Sequence, residues 1–309
     1  MIITVTLNPS LDRTLHFGSV RWGAVNRASR SSLDLSGKGV NVSIALRQLG
    51  HPSLLMGLAA GAFGRLLVDG LVERGYACSF VFTEGETRSN VTVIDDGSGL
   101  VSKLNEAGPA VSEEALAALD EQLAARVSPG DLVVLAGSLP PGAPPDTYAR
   151  LAATVQGVGG KVVLDSSGRA LANGCRQRPW LVKPNETEAA ELVEAPLAHN
   201  PCETIALLRQ LGPERVLLSL GAQGAAYSDG SGCWLATPPS IREVNNVGAG
   251  DAALAGALSA ISESLAAADL LRMAVATGTA TAGLDGTSFP TRDQVEALLP
   301  QVTVQRLGA

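Results

Sequence analysis

Short apolar segments alternate with helical ones along most of this chain, and this alternation limits the possible fold more than any other feature. The segments 2–7, 53–58, 132–135 and 161–165 are apolar enough for buried strands, and each is followed by a helical pattern of apolar residues. Such alternation predicts an α/β fold, a doubly wound and mainly parallel sheet with helices on both faces. In sheets of this kind ligands bind beyond the carboxyl ends of the strands.

The middle of the chain departs from this alternation. Residues 90–94 and 100–104 are strand-like segments joined by a turn at Asp95-Asp96-Gly97, which predicts a β-hairpin with no long helix between its strands. We interpret the hairpin as part of a flap over one edge of the main sheet. No repeat or linker divides the sequence. The prediction is therefore a single domain, 1–309, with a discontinuous β-sheet lid formed by about 12–35 and 88–104.

A glycine-rich turn at Gly248-Ala249-Gly250 precedes Asp251 and an Ala/Leu-rich helix. The free N–H groups at a helix start and the positive end of its dipole make such a turn a seat for phosphate oxygens. A carboxylate beside a bound anion is unfavourable, so Asp251 is a candidate general base. The alternative is that Asp251 is the N-cap of the helix, since Asp is favoured there. The turn by itself leaves both interpretations open.

Charge and cysteine spacing narrow the class of protein. The net charge is −7 and no run of Lys or Arg occurs, so nucleic acid is not an expected partner. The Ala-rich tract 252–284 is interrupted by charged residues and is not expected to span a membrane. The N-terminus has no signal-peptide pattern. The four cysteines are widely spaced, so we expect neither a zinc site nor a disulfide framework, and a cytoplasmic location.

Four polar, glycine-containing loops follow predicted strands at the edge where ligands should bind: 137–142, 165–168, 183–188 and 219–224. Each loop alone has an ordinary explanation as a turn or a helix cap. Their succession at one edge favours a site. Asn185 and Glu188 share a face at a helix start and could orient a hydrated Mg²⁺, with a simple charged helix N-terminus as the alternative.

Lys38 lies between Gly37 and Gly39 at another predicted helix start. There it could add a cation to an anion-binding turn, or it could be an ordinary surface lysine. The sequence contains neither a G-x-x-x-x-G-K-[ST] nor a G-x-G-x-x-G motif. These absences disfavour a P-loop nucleoside triphosphatase and a Rossmann-type dehydrogenase.

Taken in order, these segments resemble the ribokinase-like sugar kinases of the phosphofructokinase-B family, closest to its 1-phosphofructokinase and tagatose-6-phosphate kinase branch. The resemblance covers nearly the whole chain, with one departure at 245–247, which is Asn-Asn-Val where many relatives have Asp or Ser and then Thr. It rests on TLNPSLD at 6–12, GKGVNV at 37–42, TRSN at 87–90, GSLP at 137–140, KPN at 183–185, SLG at 219–221 and VGAGD at 247–251.

The resemblance implies a role for each motif. Asp251 would be the catalytic base, and the N–H groups of Gly248, Ala249 and Gly250 would form the anion hole. The residues implied to bind the phosphosugar are Asp12, Gly37, Lys38, Gly39, Asn41, Arg88, Asn90, Lys103 and Ser138. The residues implied to bind ATP are Lys183, Asn185, Glu188, Ser219, Gly221, Gly224, Gly248 and Gly250, with Glu188 and Asn185 holding Mg²⁺ through water.

The implied reaction is ATP-dependent phosphorylation of a ketohexose phosphate, foremost fructose 1-phosphate to fructose 1,6-bisphosphate. The alternatives are a kinase of tagatose 6-phosphate or of fructose 6-phosphate. A non-catalytic sugar-phosphate sensor on a kinase scaffold is a further alternative, which the intact Asp251 disfavours because a sensor needs no base. The resemblance also implies a homodimer formed through the β-sheet lid.

Overall fold

The computed structural model describes residues 1–244, 247–284, 286 and 288–307, and these residues form two sheets. The strands are β1 Ile2–Thr6, β2 Ser10–Phe17, β3 Arg30–Ser36, β4 Ser53–Ala60, β5 Ala77–Thr83, β6 Arg88–Asp95, β7 Leu100–Leu104, β8 Leu132–Ala136, β9 Lys161–Asp165, β10 Leu181–Val182, β11 Val216–Ser219, β12 Ala225–Ser228, β13 Cys233–Thr237 and β14 Thr303–Arg306. The helices are α1 Lys38–Gln48, α2 Gly61–Glu73, α3 Glu113–Arg126, α4 Thr147–Gly157, α5 Gly168–Arg176, α6 Glu186–Val193, α7 Pro201–Gln210, α8 Ala249–Ser262, α9 Ala267–Ala282 and α10 Arg292–Leu298.

The main sheet has ten strands in the order β14-β13-β12-β11-β10-β9-β8-β1-β4-β5. The strands from β11 to β5 in this order run parallel, whereas β12, β13 and β14 pair antiparallel at one edge. Every residue of the central strands β1 and β8 is buried, because helices cover both faces of the sheet. The predicted mainly parallel α/β fold is confirmed.

Two helical layers enclose separate apolar cores. Leu119, Tyr148 and Leu171 belong to the core under α3, α4 and α5, and Leu46 and Leu258 belong to the opposite core under α1, α8 and α9.

The Ala-rich segment of the sequence forms the paired helices α8 and α9. A Cβ at Gly256 would lie 2.5 Å from Thr277 Oγ1, so only a glycine permits this approach. Within the described residues, no helix is long and apolar enough to cross a membrane.

The lid is a four-stranded sheet in the order β3-β2-β6-β7. The strands β2 and β6 run parallel, and the other two pairs are antiparallel. Leu11 and Leu35 at its base are buried against Leu67 and Leu71 of α2, which anchors the lid to the body of the protein. The small sheet predicted from the hairpin and the preceding segment is confirmed, whereas the extent of the domain, 1–309, stays a prediction.

One cysteine prediction was wrong. Cys202 on α7 and Cys233 on β13 form a disulfide, with Cα atoms 6.0 Å apart, although 31 positions separate them in sequence. Their spacing in sequence did not indicate this disulfide. The two cysteines meet because α7 packs against the sheet, and no local motif marks the pair. Among the described residues, Cys78 and Cys175 are free.

Candidate active site

The glycine turn lies at the start of α8. Gly248 is the N-cap residue with a φ of 78°, a value that favours glycine, and a Cβ there would lie 3.2 Å from the ring of Phe289. Ala249 and Gly250 are the first two helical residues and Asp251 is the third. Asp251 is therefore not the N-cap of the helix, and no side-chain capping hydrogen bond is formed at this end. The simple structural explanation for Asp251 is wrong.

Asp251 is a buried carboxylate held by one well-defined partner. Its side chain is only 8% exposed, and its Oδ2 accepts a hydrogen bond of 2.8 Å from Asn41 Nδ2 on α1. Burial raises the pKa of Asp251 to about 6, and the charge of Asp165 adds to this, while Lys38, Asn41 and Lys183 oppose it. A carboxylate with such a pKa is ionised at neutral pH yet basic enough to accept a proton.

Two lysines meet on a single buried carboxylate beside the turn. Asp165 ends β9 with 0% exposure, Lys38 Nζ donates to its Oδ1 at 2.8 Å, and Lys183 Nζ lies 3.1 Å from its Oδ2. Burial alone would raise the pKa of Asp165, but the two ammonium groups outweigh it and hold this pKa below the usual range. Burial would also lower the pKa of Lys38, and Asp165 outweighs that and raises it.

The Gly-Lys-Gly segment seats α1 on the first strand. Gly37 is the N-cap of α1 with a φ of 128°, and a Cβ at Gly39 would lie 2.4 Å from Thr6 Oγ1. These glycines let the helix start close against β1, which places Lys38 at Asp165 and Asn41 at Asp251. Both glycines thus have a structural role, and their predicted contact with the sugar stays a prediction.

A second group of predicted residues lies on the lid side. Asp12 and Asn90 are directly paired on β2 and β6, and Asn90 Nδ2 donates to Asp12 Oδ1 at 2.9 Å. Ser10 Oγ donates to the same oxygen at 2.7 Å. Lys103 is exposed on β7, opposite Thr92 and on the same face of the lid as Asn90. Within the described residues, no hydrogen bond or ion pair joins Lys103 to the other predicted site residues.

Asn8, which the sequence analysis did not single out, ties two predicted residues together. Its backbone oxygen accepts hydrogen bonds from Arg88 Nη2 at 3.0 Å and Nε at 3.2 Å, and its Nδ2 donates to Ser138 Oγ at 3.4 Å. Arg88 also donates to the backbone oxygen of Glu106. The sequence signals for Asn8 were its place in the TLNPSLD segment at 6–12 and its position two residues after β1, at the edge where ligands bind.

The start of α6 forms a complete capping box. Asn185 Oδ1 accepts from the Glu188 N–H at 2.9 Å, and Glu188 Oε2 accepts from the Asn185 N–H at 2.9 Å. Asn185 Oδ1 and Glu188 Oε2 therefore cap the helix, which is the alternative explanation given for this pair of residues. Glu188 is buried, and among the described residues no group of three His, Cys, Asp or Glu could hold a metal by itself.

The loop after β11 lies next to this helix start. The Ser219 N–H donates to the Pro184 oxygen at 3.0 Å, which joins the two loops predicted to bind the nucleotide. Gly221 has a φ of 55° and open space around it, whereas a Cβ at Gly224 would lie 2.0 Å from the Ala236 oxygen. Gly224 is thus required by packing. The sequence departure at Asn245 and Asn246 lies outside the described residues.

Asp165 was not predicted as a site residue, although it lies in one of the four loops named above. The structure shows Asn41 bonded to Asp251, a contact that was not predicted, and its assignment to the sugar stays a prediction. The contacts of Lys38, Asn41 and Lys183 bring the predicted base and two predicted cations into one cluster with Asp165 at its centre. A buried base, two ammonium groups and a helix N-terminus are among the elements that favour transfer of a phosphoryl group to a hydroxyl.

Comparison with known proteins also indicates an enzyme that transfers phosphoryl groups. A family profile described as pfkB family carbohydrate kinase matches residues 6–294, so this chain belongs to that family of carbohydrate kinases. A 1-phosphofructokinase of Bacillus subtilis (strain 168) is 36% identical over 310 residues, covering 99% of this chain and 100% of the relative. A 1-phosphofructokinase of Vibrio cholerae serotype O1 is 33% identical over 308 residues, covering 99% and 97%.

The solved structures agree with the sequence relatives that the chain has the fold of a phosphofructokinase. Phosphofructokinase-2 from Escherichia coli in complex with potassium superposes with a TM-score of 0.92 at 30% identity, covering 97% of this chain and 98% of that one. The predicted family and the predicted kinase activity are confirmed.

Proposed function

We propose that this chain transfers the γ-phosphoryl group of ATP to the free hydroxymethyl group of fructose 1-phosphate and so forms fructose 1,6-bisphosphate. The observation that carries the proposal is the position of Asp251, buried as the third residue of α8 directly behind the glycine turn. The two relatives described above, both named 1-phosphofructokinase, support the choice of sugar.

In this proposal Asp251 takes the proton from the hydroxymethyl oxygen as that oxygen forms its bond to phosphorus. Asn41 holds the carboxylate through Oδ2, so Oδ1 is the oxygen that receives the proton. The N–H groups of Gly248, Ala249 and Gly250 stabilise the charge that develops on the transferring group. ATP supplies the phosphoryl group, and ADP leaves.

The sugar subsite is proposed to extend from Asp251 to the lid. Asp12 and Asn90, fixed to each other, would bind sugar hydroxyls with the remaining oxygens of both side chains. Lys38, Arg88 and Lys103 would hold the phosphate already on the sugar, since an acidic protein must concentrate cations locally to bind a doubly charged substrate. Ser138, held by Asn8, would line the same subsite.

The nucleotide subsite is proposed to comprise Lys183, Ser219, Gly221 and the glycine turn, with Gly224 shaping the loop. Mg²⁺ fits the donors present, because it prefers one or two carboxylate or amide ligands and keeps water and phosphate oxygens for the rest. The capping box leaves Glu188 Oε1 for such a role, with Asn185 beside it. When bound, Mg²⁺ would neutralise phosphate charge.

We also propose that the protein is a homodimer formed through the lid and that it acts in the cytoplasm, where ATP and sugar phosphates are found. Leu33 and Leu104 support the dimer, since both are exposed and lie on the lid face opposite Asp12 and Asn90. Exposed apolar side chains on one face of a small sheet are typical of an interface.

A coupled assay of ADP formation tests the function. Fructose 1-phosphate, fructose 6-phosphate, tagatose 6-phosphate and fructose would be compared at equal ATP and Mg²⁺. We expect kcat/KM for fructose 1-phosphate to exceed that for each other sugar by at least about tenfold, the effect of about 1.4 kcal/mol of binding energy. A higher value for fructose 6-phosphate or tagatose 6-phosphate would assign the enzyme to that substrate, and no turnover of any sugar would favour a sensor.

A further inference from the structure

Asp165 contacts two lysines that are assigned above to the binding of different substrates. Lys38 is the first residue of α1 and Lys183 directly follows β10, yet both ammonium groups contact the one carboxylate, at 2.8 and 3.1 Å. Within the described residues, neither lysine forms an ion pair with any other carboxylate.

We propose that Asp165 is a positioning residue that couples the two substrate subsites, because it holds one cation from each of them. This inference rests on the proposed function, in which Lys38 serves the phosphate of the sugar and Lys183 serves ATP.

The three charges run from the surface to the glycine turn. The Lys38 side chain is 36% exposed, whereas the Lys183 side chain is 5% exposed. Lys183 Nζ lies 3.6 Å from the position that a Cβ on Gly250 would take, so it faces the glycine turn. Asp165 between them is completely buried. A change at the exposed end of this group therefore reaches the turn through direct contacts.

Stability alone does not account for this arrangement. Buried ion pairs add little net stability compared with apolar side chains of the same volume, because both charges lose their hydration. Each ammonium group has three N–H donors, and Asp165 accepts a hydrogen bond from Lys38 and pairs with Lys183 as an ion pair. Among the described residues no other carboxylate pairs with either lysine, so further donors can bind phosphate oxygens while Asp165 fixes the position of both nitrogen atoms.

The coupling follows from how the two carboxylate oxygens are shared. With both lysines present, each lysine contacts one oxygen of Asp165. Without Lys38, the carboxylate can turn both oxygens to Lys183, which then has fewer N–H donors for an ATP phosphate and binds it less strongly. The affinity for ATP should therefore depend on Lys38, although that residue is assigned to the sugar.

Arg88 provides a matched control. Arg88 is also assigned to the sugar phosphate, but its guanidinium contacts the backbone oxygens of Asn8 and Glu106 rather than Asp165. Lys38→Met and Arg88→Met should both weaken binding of fructose 1-phosphate by roughly 10- to 100-fold, the effect of one charge-assisted hydrogen bond. Only Lys38→Met should also weaken binding of ATP, by about tenfold.

Isothermal titration calorimetry of the full chain with ATP and Mg²⁺, and separately with fructose 1-phosphate, measures both dissociation constants without catalysis. The Asp165→Asn variant completes a double-mutant cycle. In the Asp165→Asn background, adding Lys38→Met should change the ATP dissociation constant by less than about twofold, because the connection is already broken.

Each result decides between specific claims. If Lys38→Met leaves ATP binding as unchanged as Arg88→Met does, the coupling is wrong. If its effect on ATP persists at full size in the Asp165→Asn background, Asp165 is not the connection. If both cation variants bind fructose 1-phosphate normally, the sugar-phosphate assignment fails instead. Should Asp165→Asn not fold, the contrast between Lys38→Met and Arg88→Met still decides whether the two subsites are coupled.

Discussion

At the residue scale, Asp251 carries a cost that only a function explains. Its carboxyl group is buried and lies near the negative charge of Asp165, and both raise its pKa from 3.8 to about 6. The stability that the protonated group contributes is present below about pH 4 and is lost as the pH rises through about 6. At neutral pH the ionised Asp251 therefore destabilises the fold.

Asp251→Asn should consequently raise the free energy of unfolding at pH 8, by about 1–3 kcal/mol, since a pKa difference of one unit corresponds to about 1.4 kcal/mol. The difference between the variant and the wild type should shrink below pH 4. Urea denaturation at both pH values measures it. Equal or lower stability of the variant at pH 8 would show that the carboxylate is not strained in the folded protein.

Glu188 allows the metal role to be separated from the capping role. Glu188→Gln should preserve the capping box, because Gln also serves at that position, while removing the charge. We therefore expect near-native thermal stability and a raised Mg²⁺ concentration for half-maximal rate, by about threefold or more. Glu186→Gln on the exposed first turn of α6 is the control and should leave the Mg²⁺ titration unchanged. If Glu188→Gln also leaves the Mg²⁺ titration unchanged, Glu188 acts only as a cap.

At the scale of elements, periodicity and turn residues predicted the central strands β1, β4, β8 and β9 of the main sheet and the two strands of the lid hairpin. Two edge strands of the main sheet were not predicted. Both β5 and β14 lie at the sheet edges and contain no buried residue. The sequence of β14, TVQR, lacks the apolar run of a central strand, whereas β5 contains Phe80-Val81-Phe82, a signal that was overlooked. Pairing with β4 and β13, which depends on the whole fold, makes them strands.

The same limit applies to the site. The motifs located the loops and most of the predicted side chains, but not which side chain contacts which. Asn41 and Asp251 are 210 positions apart in sequence, and Lys38 and Asp165 are 127 apart. Such pairs follow from strand order and helix placement, so local patterns could not assign Asn41 to the base or identify Asp165.

Glu263 at the end of α8 links three elements at the side of the sheet away from the site. It accepts hydrogen bonds from Arg292 on α10, and His51 Nε2 before β4 lies 3.0 Å from its Oε1. The bond from Arg292 is the main reason that the pKa of Glu263 is lowered from 4.5 to about 2, with His51 adding to it against partial burial.

Glu263→Gln should lower the free energy of unfolding at pH 7 by about 1–2 kcal/mol, less than the pKa shift alone implies because the side chain is partly solvated. This stabilisation is present above about pH 4.5 and is lost as the pH falls towards about 2, so the difference between the variant and the wild type should narrow there. Glu296→Gln, which removes an exposed partner of the same arginine, should cost less than about 0.5 kcal/mol. Equal effects of the two variants would contradict this account.

At the scale of the whole molecule, the lid has one face that carries Asp12 and Asn90 of the proposed sugar subsite and an opposite, apolar face that the described residues cover at its base. Leu11 and Leu35 on this apolar face are buried against α2, whereas Leu33 and Leu104 farther out are exposed. A second copy of the lid would cover them.

Leu33→Glu should therefore convert a dimer into monomers, because it places a charge in the proposed interface. Leu207→Glu on α7 is a matched control, since both leucines are 46% exposed and Leu207 is far from the lid in the fold. Sedimentation velocity at micromolar concentration distinguishes the species. A monomeric wild type, or a Leu33→Glu variant that stays dimeric, would rule out the lid as the interface.

The most direct test of the central claim is the dependence of kcat/KM on pH for fructose 1-phosphate, measured for the wild type and Asp251→Asn. The account predicts a variant slower by roughly 10²–10⁴ at pH 8, the range for loss of a general base. It also predicts a wild-type rate that falls below about pH 6 more steeply than that of the variant, whose profile reports only ionisation of the substrate phosphate. Near-normal turnover by Asp251→Asn, or profiles of the same shape, would contradict it.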